Sequence, residues 1–189
     1  MTNRSLRFML PVAIFCFGAL AFASAPVTAS DTPSDAQKSF DLLKTLAGNW
    51  QGPVKVEPPM QGMDNKPMCA SLRVTSRGNA IVHEMKCDNT PVDATQHDDP
   101  ITMIYLDDGQ LTLTHYCDAG NRPHMTAKAS PDGKTIEFDL VDVSGSTQFG
   151  HMQRAVFTII DANHHSEDWT FLMPGDKPMH GHIDLVRVK

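Results

Sequence analysis

Two residues carry the most evident chemistry: His115 and Cys117, in the run Gln110-Leu111-Thr112-Leu113-Thr114-His115-Tyr116-Cys117. Alternate residues of a strand share a face, so Leu111, Leu113, His115 and Cys117 fall on one side and Thr112, Thr114 and Tyr116 on the other. The two leucines mark the first side as interior. An imidazole and a thiol would then lie together inside the fold, roughly 7 Å apart along the strand. Three functions suit such a pair. Cys117 is a nucleophile if a cation such as His115 lowers its pKa. With His151, the pair offers soft and imidazole ligands to a metal. Alternatively, they are the few polar contacts in an apolar ligand cavity, together with Asn121, His151 and Trp169. The purely structural counterpart is a small buried hydrophobe beside a core histidine bonded to a backbone carbonyl. Among the functional readings, the cavity is preferred.

Other reactive side chains form no recognisable motif. Dense spots occur at Met60-x-x-Met63, Met68, His164-His165 and Met179-His180-Gly181-His182. They invite a copper reading, but none has ligand spacing, and surface histidines with gap-filling methionines are expected instead. His180 and His182 could chelate from one strand face. Glu167 and Asp168 are adjacent and therefore point to opposite faces, so they make no acid–base dyad unless the strand bulges. No Gly-rich phosphate loop, nucleophile elbow or HExxH segment is present. No catalytic residue, metal or specific cofactor is assigned on these grounds, and binding is expected rather than catalysis.

What isolates Cys117 is the N-terminus. Arg4 and Arg7 precede an apolar run from Phe8 to Phe22, followed by the small residues Ala23 to Ala29. That order is the pattern of a secretory signal. Cleavage after Ala29 is preferred to cleavage after Ala25, which would leave Pro26 first. The apolar run is short of the roughly 20 residues needed to span a bilayer, and Cys16 lacks the setting of a lipoprotein cysteine. The expected mature chain, residues 30–189, is periplasmic or secreted. It has 22 acidic and 14 basic residues, a net charge of −8, and no basic block. Nucleic-acid binding therefore has no electrostatic support, and no further apolar stretch spans a membrane. Three cysteines remain in an oxidising space, and a Cys69–Cys87 bridge would leave Cys117 over. Two clues to that bridge conflict. A hairpin centred on Gly78 sets the cysteines opposite each other. The apolar pattern prefers a register one step away, with Ala70, Leu72 and Val74 facing Met85, His83 and Ile81.

The elements that must position these residues are mostly strands. Residues 31–48 carry a helix signal, with Asp31 or Thr32 as cap, Pro33 at the first position, Gly48 at the exit, and Phe40, Leu43, Leu46 and Ala47 on one stripe. After Gly48 short alternating runs separated by turn residues predict strands. They fall near 49–56, 67–76, 80–88, 101–107, 110–117, 122–130, 135–143, 152–161, 165–173 and 179–188. Asp107-Asp108-Gly109, Pro131-Asp132-Gly133 and Pro174-Gly175-Asp176 are the clearest turns. Segments 57–66 and 89–100 read as loops. A meander of roughly eight to ten strands suits a closed up-and-down barrel, with a two-sheet sandwich as the alternative.

The opening Leu43-Lys44-Thr45-Leu46-Ala47-Gly48-Asn49-Trp50-Gln51-Gly52 resembles that of calycin-type barrels, where a short helix leads into a Gly-x-Trp first strand. The resemblance implies that Trp50 plugs one barrel end and that Arg187, on the last strand, lies over it, both as structural residues. The run from Tyr105 to Met125, with Leu113-Thr114-His115-Tyr116-Cys117 and Gly120-Asn121-Arg122-Pro123-His124-Met125, resembles a bacterial lipocalin-like family of unknown function. That family carries an LTHYC..GNQPRM segment, from which Arg122 and His124 depart. His151-Met152, Trp169-Thr170-Phe171 and Leu185-Val186-Arg187 also fit it, so the likeness covers the chain from about residue 43 onward. It implies a fold and no activity. The Gly-x-Trp-x-Gly opening is also similar to haem-binding nitrobindin barrels, whose late histidine ligand would correspond in place to His182; Pro53-Val54-Lys55 departs from that motif.

The resulting expectation is a signal peptide, residues 1–29, and one lipocalin-like all-β domain, residues 30–189, binding a small apolar molecule in its interior. The alternatives are a metal- or haem-binding protein or thiol-dependent enzyme centred on His115 and Cys117, and a structural envelope protein with no ligand.

Overall fold

The computed structural model describes residues 33–60, 62, 65–87, 100–129 and 132–188. The expected signal peptide with its cleavage points, the caps Asp31 and Thr32, and most of the 89–100 loop lie outside these residues.

One helix, α1 (Asp35–Lys44), precedes ten strands: β1 (Gly48–Glu57), β2 (Pro67–Thr75), β3 (Ala80–Glu84), β4 (Ile101–Asp107), β5 (Gln110–Tyr116), β6 (Arg122–Ala129), β7 (Thr135–Ser144), β8 (His151–Asp161), β9 (His164–Met173) and β10 (Lys177–Arg187). Each strand pairs antiparallel with its predecessor, and β10 returns to β1, so the sheet closes into a barrel rather than a sandwich. Closure leaves no strand with an unpaired edge.

The helix is shorter than the sequence signal. Ser34 is its cap, its Oγ accepting the Gln37 N–H at 3.1 Å, and Pro33 falls just before it. Ser34 wins the cap because its side chain reaches the third helical N–H, with Asp35 adding negative charge in the first turn. Phe40, Leu43 and Leu46 are buried as expected, whereas Ala47 is exposed. Burying Phe40 and Leu43 contributes about 1.5–3 kcal/mol each, and this docks α1 beside β2, β4, β5 and β6.

That end of the barrel is shut by Trp50. Its indole is fully buried, and Nε1 donates to the Leu46 carbonyl at 2.8 Å. The Arg187 guanidinium lies 4.1 Å from the ring centroid and donates to the carbonyls of Thr45, Ala47 and Ala162. The two glycines flanking Trp50 now have a physical reason. A Cβ on Gly48 would strike Arg187 Nη1, and one on Gly52 would strike the Asp184 carbonyl of β10. The motif permits close approach of the lock on one side and of the last strand on the other.

The expected disulfide forms, but not through the register centred on Gly78. The β2–β3 register pairs Leu72 with His83 and Val74 with Ile81, as the apolar pattern requires. The Cys69–Cys87 bridge forms as well, with Cα atoms 4.8 Å apart. The apolar register and the bridge coexist because β3 ends at Glu84 instead of 88. Cys87 lies beyond the paired segment and is not held to the ladder's register.

Candidate functional site: the open end of the barrel

The inward face of β9 presents His165, Glu167, Trp169 and Phe171 in sequence, from the plugged end to the one that is open among the described residues. On the opposite wall the registers set His83, Thr102 and His115 abreast on β3, β4 and β5. Just beyond the paired residues of these strands, Met85, Pro100 and Cys117 line the pocket on this side. On the β9 side, Met152, Phe171 and Met179 form a row. The pocket between the two sides has a volume of about 310 Å³. His115, Cys117, Trp169, Phe171, Gly181 and Ile183 are among its lining residues. A Cβ on Gly181 would meet nothing within 4 Å, so this glycine keeps part of the space open.

His115 is buried, with Nδ1 2.8 Å from Thr102 Oγ1, which leaves Nε2 as the ring nitrogen for an occupant. Burial, helped by the nearby His83 charge, lowers its pKa to about 4. The imidazole is therefore neutral at pH 7. It then supplies no cation to activate the Cys117 thiol, and this counts against a nucleophilic cysteine. Cys117 is half-buried and outside the disulfide.

Beneath the pocket lies a polar cluster that the sequence reading missed. Glu167 is wholly buried and accepts from His83 Nε2 and His165 Nε2 at 3.1 Å each, and from Trp169 Nε1 at 3.0 Å. An ionised carboxylate only accepts, so both imidazoles carry a proton on Nε2. Burial, the largest influence, pushes the Glu167 pKa up. The charge of His83 and the hydrogen bonds from both imidazoles outweigh it and hold the carboxyl well below its ordinary value. Both Nδ1 atoms are buried without a hydrogen-bond partner. Trp169 stacks on His83 at 5.8 Å and lies 5.5 Å from His115, while His165 and Trp50 make a T-shaped contact at 4.3 Å. Contacts thus run the length of the barrel, from the Arg187–Trp50 plug to the pocket floor.

The barrel's likeness to known proteins is confined to shape. No protein-family model and no curated protein matches the chain. The solved "Crystal Structure of Rv2717c from M. tuberculosis" superposes with a TM-score of 0.53 at 13% identity, covering 80% of this chain and 98% of that one. At that identity the similarity is one of fold.

Of the residues singled out from sequence, His115, Cys117 and Trp169 come together at the pocket, and His151 and Asn121 do not. His151 opens β8, and its neighbour Met152 faces the pocket instead. Asn121 Nδ2 donates to the carbonyls of Ser146 and Gly150, tying the turn after β5 to the β7–β8 connection. Of the His164-His165 pair expected on the surface, His165 is wholly buried, whereas His164 faces outward to Asp184. His180 and His182 share the outer face of β10, where His182 Nδ1 lies 2.7 Å from Asp168. That face is turned away from the pocket. Among the described residues, no three His, Cys, Asp or Glu side chains gather as a metal site. The signal that could have found the cluster is Glu167 itself: β9 alternates, so a carboxylate in phase with Trp169 and Phe171 must be buried.

Proposed function

We propose that the protein is an exported lipocalin-like barrel that holds a small, largely apolar molecule at its open end. The pocket carries this reading: about 310 Å³, a size that suits a small ligand, with apolar walls and the polar contacts of His115 and Cys117. The opposite end is filled by Trp50, so an occupant enters and leaves from one side. Export rests on the N-terminal pattern, with which the disulfide is compatible. No helix of the described residues is long and apolar enough to cross a membrane.

Titration of the mature protein with a neutral naphthylamine dye tests the reading. One dye per chain should bind and quench Trp169, which lines the pocket. Gly181→Leu should abolish uptake by filling the open space without straining the strand. Native mass spectrometry of protein from its own host should show a retained organic molecule. No uptake by the parent protein, or equal uptake by Gly181→Leu, would sink the proposal.

A further inference from the structure

The open end is also where the methionines gather. Met60, Met68, Met85, Met152 and Met179 line the pocket with His115 and Cys117. Residues 30–189 contain nine methionines, and five of them fall among the fifteen described lining residues. They come from the segment after β1, from β2, from the segment after β3, and from β8 and β10, so only closure of the barrel brings them together. Met152 and Met179 flank Phe171 on one wall, and Met85, Pro100 and Cys117 line the same pocket.

Methionine clusters also serve as adaptable apolar walls. Here three features favour a cation. The thioethers are joined by a thiol and an imidazole, which are also donors to soft metals. Asp118 is acidic, and no lysine or arginine is among the described lining residues, so the lining suits a positive occupant rather than a carboxylate. The Thr102 contact orients the His115 ring as supporting partners do in metal sites.

We infer that this sulfur-lined mouth binds a soft monovalent cation, Cu(I), through roughly three or four of these donors. Coordination by Cys117 releases its thiol proton to solvent, and the metal keeps its oxidation state. The site stands independently of the organic ligand, although both use the same opening.

Anaerobic titration of the mature protein with Cu(I) against a coloured chelator provides the test. One Cu(I) per chain should be retained. Cys117→Ser and the double variant Met152→Leu/Met179→Leu should each weaken binding by about 100-fold or more, since even supporting partners of a metal are worth about 10- to 100-fold. Met→Leu conserves volume, so the double variant should still take up the naphthylamine dye. That uptake separates loss of copper from loss of the pocket. His180→Ala/His182→Ala, on the outer face, should bind copper as the parent does. Loss of all copper to the chelator, indifference to Cys117→Ser and the methionine changes, or loss with the outer histidines would overturn the inference.

Discussion

Glu167 and His83, 84 positions apart in the chain, meet at 3.1 Å across the barrel interior. The contact links β9 to β3 through the core rather than through the sheet. Glu167→Leu would leave three buried N–H groups without their acceptor, and should destabilise the fold by about 3–5 kcal/mol. Replacing the set together, as Glu167→Leu with His83→Phe and His165→Leu, should cost much less, because no polar group is then stranded. Urea denaturation of both variants checks this; equal losses would mean that the cluster acts by packing alone.

Acid should destabilise the protein in two stages. The His115 pKa falls from 6.5 to about 4 on folding, so between those values the unfolded chain takes up a proton that the folded one refuses. Stability is therefore lost as pH falls through that window, by about 3 kcal/mol in full. Glu167 is held below its ordinary 4.5, so its contribution is present above that value and lost on further acidification. Stability against pH should lose its first stage in His115→Gln and keep the second.

The Arg187–Trp50 lock makes a separate prediction. Arg187→Ala removes a stacked cation and three carbonyl contacts, and should cost about 2 kcal/mol. Arg187→Lys should recover less than half, because an ammonium cannot fork among the three carbonyls. Gly52→Ala forces a Cβ onto β10 backbone and should cost about 1–3 kcal/mol. Thermal melts followed by tryptophan fluorescence measure all three.

Reducing the Cys69–Cys87 bridge releases a loop whose ends are 18 positions apart, a loss of about 3 kcal/mol. A denaturation midpoint unmoved by reductant would contradict this. Thiol titration of the denatured mature protein should find one thiol before reduction and three after it.

The meander was legible because period-two alternation and turn residues are local signals. The strand limits agree with the sequence reading to within one or two residues, except at β3. The apolar register of β2 and β3 was legible for the same reason. That β3 would stop at Glu84, freeing Cys87 to reach Cys69, was not, because it depends on where pairing ends rather than on side-chain pattern. His115, Cys117 and Trp169 were found through alternation with leucines or through the family likeness. His83 was already on the inward face of the expected register, but its partner lies on β9. No sequence spacing encodes a contact made by closure. The gathering of methionines at the pocket was hidden for that reason, and the histidine repeat 164–165 misled because one of any two adjacent strand residues must point inward.

The pairing of β1 with β10 has a consequence for how the chain is made. The first strand finds its second neighbour only when the last has been synthesised, and the plug over Trp50 waits for Arg187 on that strand. Until then, β1 and the growing edge both offer unpaired backbone, as an open ribbon does. A chain cut short before β10 would retain those two edges, and its expected fate is strand-to-strand association with other copies rather than a smaller barrel.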